Sequence, residues 1–490
     1  RKPKVMSEVG SWLLKGSTLL ADKLYRTFVS LLLTPIFIKF FGAIVDGTSE
    51  ILHLEIAPIS RSFTFGGQRQ PKAKRFDRVP VRVTLYNPCH FCWLLLLDEK
   101  IGLGDAYIAG DYAATPGVME LLRLLVRAKD EKRQSRKAAN SSDSRQNIQQ
   151  NKSAPSLARQ LLSALGRLSL LALRRAAAAY HYWQHRRRDN TIQRSRQNNA
   201  EHYDLGNDMF RTFLDSTMSY SSAIFEDSPE QAITKPIDWK RLEEAQIRKY
   251  DALLDRLSLT SDDHVLEIGC GWGSCAIRAV ERFGCKWTGI TASAEHLELA
   301  RQRVAEAGYS DRVQLELLDF RKVTGTFAAV VSIEMIEHVG HQFLPEYFRV
   351  IHDRLEPGGK CQLQAILCPD AYYSSYCNSS DFIRKHIFPG GHLPSLGAIE
   401  EALPRDENGE KLLESKLELE IPHHYAHTLD YWYTSWLARQ SEVLSFGYSA
   451  PFHRAWQFYF ALCSTLFAYN HINDVQMTFT KRAHVHTVQA

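Results

Sequence analysis

At 490 residues, with 44% apolar and 23% charged residues, the chain has room for two or more domains and a sizeable core, a composition that excludes a disordered polymer. Its nine cysteines are odd in number and irregularly spaced, which excludes a disulfide framework and indicates reduced thiols in an intracellular protein. The net charge of +5 is uneven: residues 131–200 hold 15 Lys/Arg against three acids, a balance of +12, so the remainder sums to −7.

In chain order, residues 28–38 form the most apolar run near the N-terminus. Pro35 is expected to interrupt it and Lys39 to end it, short of the ~20 residues a membrane span needs, so a core or interfacial helix is expected. No secretory signal pattern stands out. Residues 51–112 read as a small β-rich module, with alternation over Ile51–Ile56 and Val81–Leu85 and a strand ending at Gly66-Gly67. Nothing in it looks catalytic, and a docking role is expected. From Ala128 to about Ser153, Lys, Arg, Ser, Asn and Gln predominate, predicting a mobile linker. Leucines at 157, 161, 162, 165, 168 and 171 then follow helical spacing, interleaved with Arg159, Arg167, Arg174 and Arg175 and closed by Arg186–Arg188. A basic amphipathic helix suits an anionic membrane surface. A connector helix packed on a neighbouring domain is an equal alternative. Nucleic acid is not expected, since no reading module accompanies the charge.

A long polar helix is expected from Trp239 to Leu257. The apolar run Val265–Ile268 then enters Gly269, Gly271 and Gly273 at alternate positions, with helical periodicity beyond. That is a strand, a glycine turn and a helix, suited to a nucleotide-like ligand against the turn. Further strands are predicted at Trp287–Ile290, Val313–Leu318, Ala328–Ile333 and, after a turn at Leu355–Gly359, Cys361–Ile366. This alternation predicts an α/β fold: a doubly wound Rossmann-like domain with ligands at the carboxyl ends of parallel strands, beside a smaller α+β N-terminal domain. The expected division is 1–127, a basic linker and helix 128–199, and 200–490. A dinucleotide site would want G-x-G-x-x-G and an acid at the second strand's tip. Here the spacing is G-x-G-x-G and that tip is Thr291-Ala292-Ser293. Asp319 at the third tip is placed to accept from an adenine amino group, with Phe320 against the ring. S-adenosylmethionine fits better than NAD.

Five ordered motifs make the sequence resemble the cyclopropane-fatty-acyl-phospholipid synthase family of S-adenosylmethionine-dependent methyltransferases, over about residues 50–480. They are His202–Asp208, Met218–Ser222, Leu266–Gly273, Glu337–Gly340 and Ile387–Gly391. The resemblance implies cofactor contacts at Tyr220, Ser221, Gly269, Gly271, Gly273, Thr291, Ser293, Asp319 and Phe320, with His296 where relatives often carry Gln. It implies methyl transfer from the sulfonium to a double bond of unsaturated phospholipid acyl chains, most readily giving a cyclopropane. The intermediate carbocation suits aromatic faces; Phe213, Phe225, Tyr425, Trp432, Tyr433 and Trp436 are candidates, at least half of them expected to be ordinary core. In the family a bound bicarbonate removes the proton. By position its ligands fall on Ser222, Glu337, Gln364, the main chain at Ile366, and Tyr425. Ser222 replaces Cys and Gln364 replaces His, which leaves ring or methylene branch open. Aromatic helices over residues 425–469 are expected to cover the acyl pocket. No metal site is expected at His423, His424 and His427. The expected location is cytoplasmic and peripherally membrane-associated, and a homodimer is left open. The alternatives are an amine methyltransferase and a lipid-binding scaffold that has lost catalysis.

Overall fold

Alternating Leu52, Leu54 and Ile56 turn inward from β1 (Ile51–Ile56), which pairs antiparallel with β2 (Arg61–Gly66) and parallel with β3 (Val81–Leu85). With β4 (Tyr112–Thr115) antiparallel to β3, the order is β2-β1-β3-β4. The computed structural model describes residues 21–68, 79–141, 157–188, 190, 191, 194, 205–226 and 238–483. The chain divides into two compact units, 1–177 and 178–490.

Two expectations for the first unit are corrected. The apolar run at 28–38 belongs to a helix that is continuous over Ala21–Val45, 25 residues, long and apolar enough to cross a membrane by length and composition. Pro35 does not interrupt it because Val29–Leu33 is a π turn: Thr34 N–H and Oγ1 both reach Val29 O, and Pro35 enters in the first turn of the segment that follows. Val29, Leu33, Phe37, Phe41 and Val45 form the buried stripe, while Leu24, Phe28, Leu31, Leu32, Ile36 and Ile38 remain exposed on the rest of the helix. Nor does a linker begin at Ala128, since helix Val118–Ser141 continues through it. Lys, Arg, Ala and Gln are good helix formers, and the helix is pinned by Arg127 on the buried Glu50 carboxylate and by Glu131 accepting from Ser49. Residues 142–156, the rest of the expected linker, lie outside the described residues. The basic segment forms helix Leu157–Arg186, but the side chains of 157–170 are likewise outside. Leu171, Tyr180 and Trp183 on it are exposed.

The second unit is built on seven strands in the order β10-β11-β9-β8-β5-β6-β7. They are β5 (His264–Ile268), β6 (Lys286–Thr291), β7 (Val313–Leu317), β8 (Phe327–Ile333), β9 (Leu355–Leu367), β10 (Leu413–Glu420) and β11 (Asn473–Lys481). The first five are parallel, and β11 lies antiparallel between β9 and β10. The turn expected at Leu355–Gly359 is instead an irregularity inside β9, where partners jump from Phe327↔Leu355 to Ala329↔Lys360. Successive strand residues bury on opposite faces: Leu266, Ile268 and Val330 enter one core cluster, and Val265, Ala329 and Val331 the other. Both faces are therefore covered, and the carboxyl ends of β5, β6 and β8 are left to form a site.

Candidate functional site

The glycine turn opens the site. Gly269 has φ +88°, and a Cβ there would stand 2.7 Å from Met335 Cγ. Gly271 has φ +48° and faces open space. One cavity is lined by Tyr220, Ser221, Gly269, Gly271, Thr291, Ser293, His296, Asp319 and Phe320 together. Gly273 is the exception among the expected contacts. It does not line the cavity, but turns the chain at φ +83° into helix Ser274–Phe283.

Several lining side chains have partners that define their roles. The Ser293 hydroxyl caps helix Ala294–Glu306 by accepting from His296 N–H. The His296 ring packs on Trp272 with centroids 4.1 Å apart, and burial pushes its pKa down to about 3, so it is neutral. Asp319 is held by the guanidinium of Arg321 at 2.8 and 2.7 Å. Burial alone would raise this carboxyl, but the Arg321 hydrogen bonds outweigh it and keep Asp319 below the usual range. It is an ionised acceptor beside Phe320. Ser221 Oγ accepts from the buried Lys249 at 2.6 Å. Of the entry motif, His202, Tyr203 and Asp204 lie outside the described residues; Asn207 accepts from Trp272 Nε1 at 2.7 Å.

Beyond the turn the five residues expected to hold an anion do converge, but around the chain's own carboxylates. Glu334, at the tip of β8, accepts from Ser222 N–H at 2.8 Å and Gln364 Nε2 at 2.9 Å on Oε1, and from Tyr425 OH at 2.7 Å on Oε2. The Ile366 N–H donates to Glu337 Oε1. The Ser222 hydroxyl is turned away, donating to Ala223 O at 3.1 Å. Asp474 on β11 completes an acidic group in which Glu337 and Asp474 are buried and Glu334 is half-buried, with Gln364 Nε2 3.4 Å from Asp474 Oδ2. Burial, then repulsion from Glu334, pushes Glu337 up to about 8, and burial raises Asp474 and Glu334. The positive charge of Lys249 counters this for Glu334 and Asp474, while burial holds Lys249 itself down to about 8. Glu334, Lys249 and Asp474 were not singled out by sequence. Nor was Glu267, which lines the same cavity, accepts from Trp287 Nε1 at 2.9 Å and is pushed up to about 7 by burial.

An aromatic wall stands beside these groups. Phe213 contacts Tyr220, Trp432 and Trp436 at 5.8–5.9 Å, and Tyr425 meets Trp432 at 6.1 Å. Helices Pro422–Ala438 and Ala450–Ala468 supply most of it. Phe225 packs elsewhere, against His427 and Tyr431. His341, Cys377 and His392 bring ligand atoms within 4.8 Å of one another, but the Tyr373 hydroxyl already bonds both imidazoles, at 2.9 and 2.8 Å.

The family model described as "Mycolic acid cyclopropane synthetase" matches residues 190–477. The chain is 39% identical over 293 residues to "Tuberculostearic acid methyltransferase UfaA1" of Mycobacterium tuberculosis, covering 60% of this chain and 67% of that one. Over 285 residues it is 32% identical to the "Cyclopropane-fatty-acyl-phospholipid synthase" of Escherichia coli, covering 57% and 67%. The likeness to the "Probable fatty acid methyltransferase Rv3720" of Mycobacterium tuberculosis is 28% over 446 residues, 87% of this chain and 95% of the relative. Among solved structures, the cyclopropane synthase MmaA2 from Mycobacterium tuberculosis superposes with a TM-score of 0.51 at 28% identity, covering 58% of this chain and 98% of that one.

Proposed function

We propose, because the chain belongs to the mycolic acid cyclopropane synthetase family of S-adenosylmethionine-dependent methyltransferases, that it methylates the double bond of unsaturated acyl chains of phospholipids. The observation carrying this reading is the acidic group at the strand tips, joined through Tyr425 to an aromatic wall that also holds Tyr220, and sharing Glu334 with the cavity at the glycine turn. When bound, S-adenosylmethionine supplies an electrophilic methyl on a sulfonium. The cavity residues named above would hold it: Asp319 is charged to accept from an adenine amino group, and Lys249 fixes Ser221.

An alkene is a poor nucleophile, so its alignment and the exclusion of water provide most of the acceleration. Its π pair attacks the methyl carbon as the carbon–sulfur bond breaks, leaving a cation on the neighbouring chain carbon. Phe213, Tyr425 and Trp432 offer π faces to that cation. Loss of a proton from the transferred methyl closes a cyclopropane. A 1,2-hydride shift that moves the cation onto the methyl-bearing carbon, followed by loss of a proton from the transferred methyl, leaves a methylene branch. That second reading is favoured by the departures at Ser222 and Gln364 and by the 39% likeness to a protein named for tuberculostearic acid.

The acceptor also has to be reached. The exposed apolar face of helix Ala21–Val45, with exposed Lys23, Arg26 and Lys39 on the same helix, suits peripheral seating on an anionic bilayer.

Purified protein with methyl-labelled S-adenosylmethionine and vesicles of unsaturated phosphatidylglycerol tests the reading. Label in the acyl chain supports it; label only on an amine, or none, overturns it. Proton NMR of the recovered chains separates vinylidene from cyclopropane hydrogens.

A further inference from the structure

The resemblance to the synthase family calls for a bicarbonate ion as base, and the residues present do not fit one. Every donor that the ion would use is already committed. Ser222 N–H, Gln364 Nε2 and Tyr425 OH point at Glu334, and Ile366 N–H points at Glu337. A bound anion would also lie against the ionised Glu334, whose like charge is poorly screened there.

What occupies the donors is itself a planar carboxylate. Glu334 follows the last residue of β8, and its own N–H is anchored on Gln364 O at 2.8 Å. Its φ of +48° lies in the left-handed region that a side chain rarely adopts. Strain of this kind persists where the surroundings over-determine it, commonly at functional sites. The same residue lines the cavity formed by the glycine turn, which places it beside the space proposed for the methyl donor.

We propose that Glu334 is the catalytic base of this enzyme and replaces bicarbonate, the inference resting on the acyl-methylation reading above. The carboxylate takes one proton from the carbocation. The electrons of that C–H bond form the new carbon–carbon bond of a ring, or the new double bond of a branch. The products are a neutral acyl chain, S-adenosylhomocysteine and protonated Glu334, which returns its proton to solvent. Ser222, Gln364 and Tyr425 are positioning residues. Their three hydrogen bonds and the charge of Lys249 favour ionised Glu334 over its neighbours. Glu337 Oε2 and Asp474 Oδ1 have no hydrogen-bond partner among the described residues, which suits carboxyls that carry protons.

The test uses the full chain, with labelled S-adenosylmethionine and unsaturated phosphatidylglycerol vesicles, in carbon-dioxide-free buffer with and without added bicarbonate. Wild-type turnover is expected to be unchanged by the ion. Glu334→Gln is expected to lose about 100-fold or more in kcat, the scale of a lost general base, with cofactor affinity by calorimetry unchanged. Glu334→Gly relieves the backbone strain and opens the carboxylate's place, and added bicarbonate or formate is expected to restore about 10-fold of its lost rate. A wild-type enzyme that needs bicarbonate overturns the inference, as does full activity of Glu334→Gln. If a variant fails to fold, the wild-type dependence on bicarbonate decides alone. A wild-type enzyme that labels no acyl chain overturns the acyl-methylation reading itself, and this inference with it.

Discussion

Tyr425 OH donates to Glu334 Oε2 at 2.7 Å, tying helix Pro422–Ala438 to the tip of β8 across 91 positions of sequence. A hydrogen bond to a charged group is worth about 1.5–3 kcal/mol, and here it stabilises the ionised carboxylate. Tyr425→Phe keeps the ring that packs on Phe467 and Trp432, so the fold is expected to persist. Glu334 then holds its proton to higher pH. The acidic limb of the pH–kcat profile is expected to move upward and kcat at neutral pH to fall by about 10- to 100-fold. Cofactor affinity stays constant. A limb that does not move would show that the tyrosine only packs.

Glu337 makes stability pH-dependent in a direction opposite to that of most carboxylates. Burial, followed by repulsion from Glu334, lifts it to about 8 from an ordinary 4.5. The folded chain therefore binds the proton more tightly than the unfolded chain. Its contribution is complete below about pH 4.5 and is lost as pH rises through 8. Glu337→Gln retains an acceptor for Ile366 N–H and cannot ionise. Melting temperatures at pH 6 and 9 are expected to fall less for this variant than for wild type; an equal fall would place the ionisation elsewhere.

What was legible in the sequence was local. Period-two alternation gave Val81–Leu85 at its observed bounds, and the strand–glycine–helix order pointed to the turn that lines the cavity. What was not legible depends on distant pairing. Glu334 stands three residues before the motif Glu337–Gly340 and outside it, and its meaning comes from Ser222, Gln364 and Tyr425, which lie 112, 30 and 91 positions away. Lys249 sits in a helix whose composition reads as exposed, yet it is fully buried beneath Ser221. The π turn before Pro35 leaves no composition signal, so the N-terminal helix was expected to be shorter. Arg321 was within reach of sequence reasoning, two residues beyond Asp319, but the adenine role hid the ion pair.

The two glycines of the turn are expected to respond differently to a methyl group. At Gly269 a Cβ meets Met335 Cγ at 2.7 Å and the backbone is at φ +88°. Gly269→Ala is expected to cost about 1–3 kcal/mol and to abolish measurable cofactor binding, because Met335 must move within the cavity wall. At Gly271 the new methyl meets no protein atom within 4 Å. Gly271→Ala is expected to cost only the ~1 kcal/mol of left-handed backbone. It should still weaken cofactor binding, since the added carbon projects into the cavity. Thermal melts and titration calorimetry on both variants check the contrast, which fails if Gly271→Ala is the less stable of the two.

The proposed membrane seating by the N-terminal helix would have its own signature. Leu31 and Leu32 are 68% and 58% exposed, on the side away from the buried Val29, Leu33 and Phe37 stripe. Inserting one leucine into an apolar environment is worth about 1.5–3 kcal/mol when complete, and even partial insertion of two should dominate partitioning. Leu31→Glu with Leu32→Glu leaves the buried stripe intact. Sedimentation with anionic vesicles is expected to show at least about a tenfold loss of binding, roughly 1.4 kcal/mol, with cofactor affinity unchanged. Turnover on vesicles should fall in parallel, and turnover on detergent-dispersed lipid should be spared. Undiminished vesicle binding by the double variant would assign this face another role.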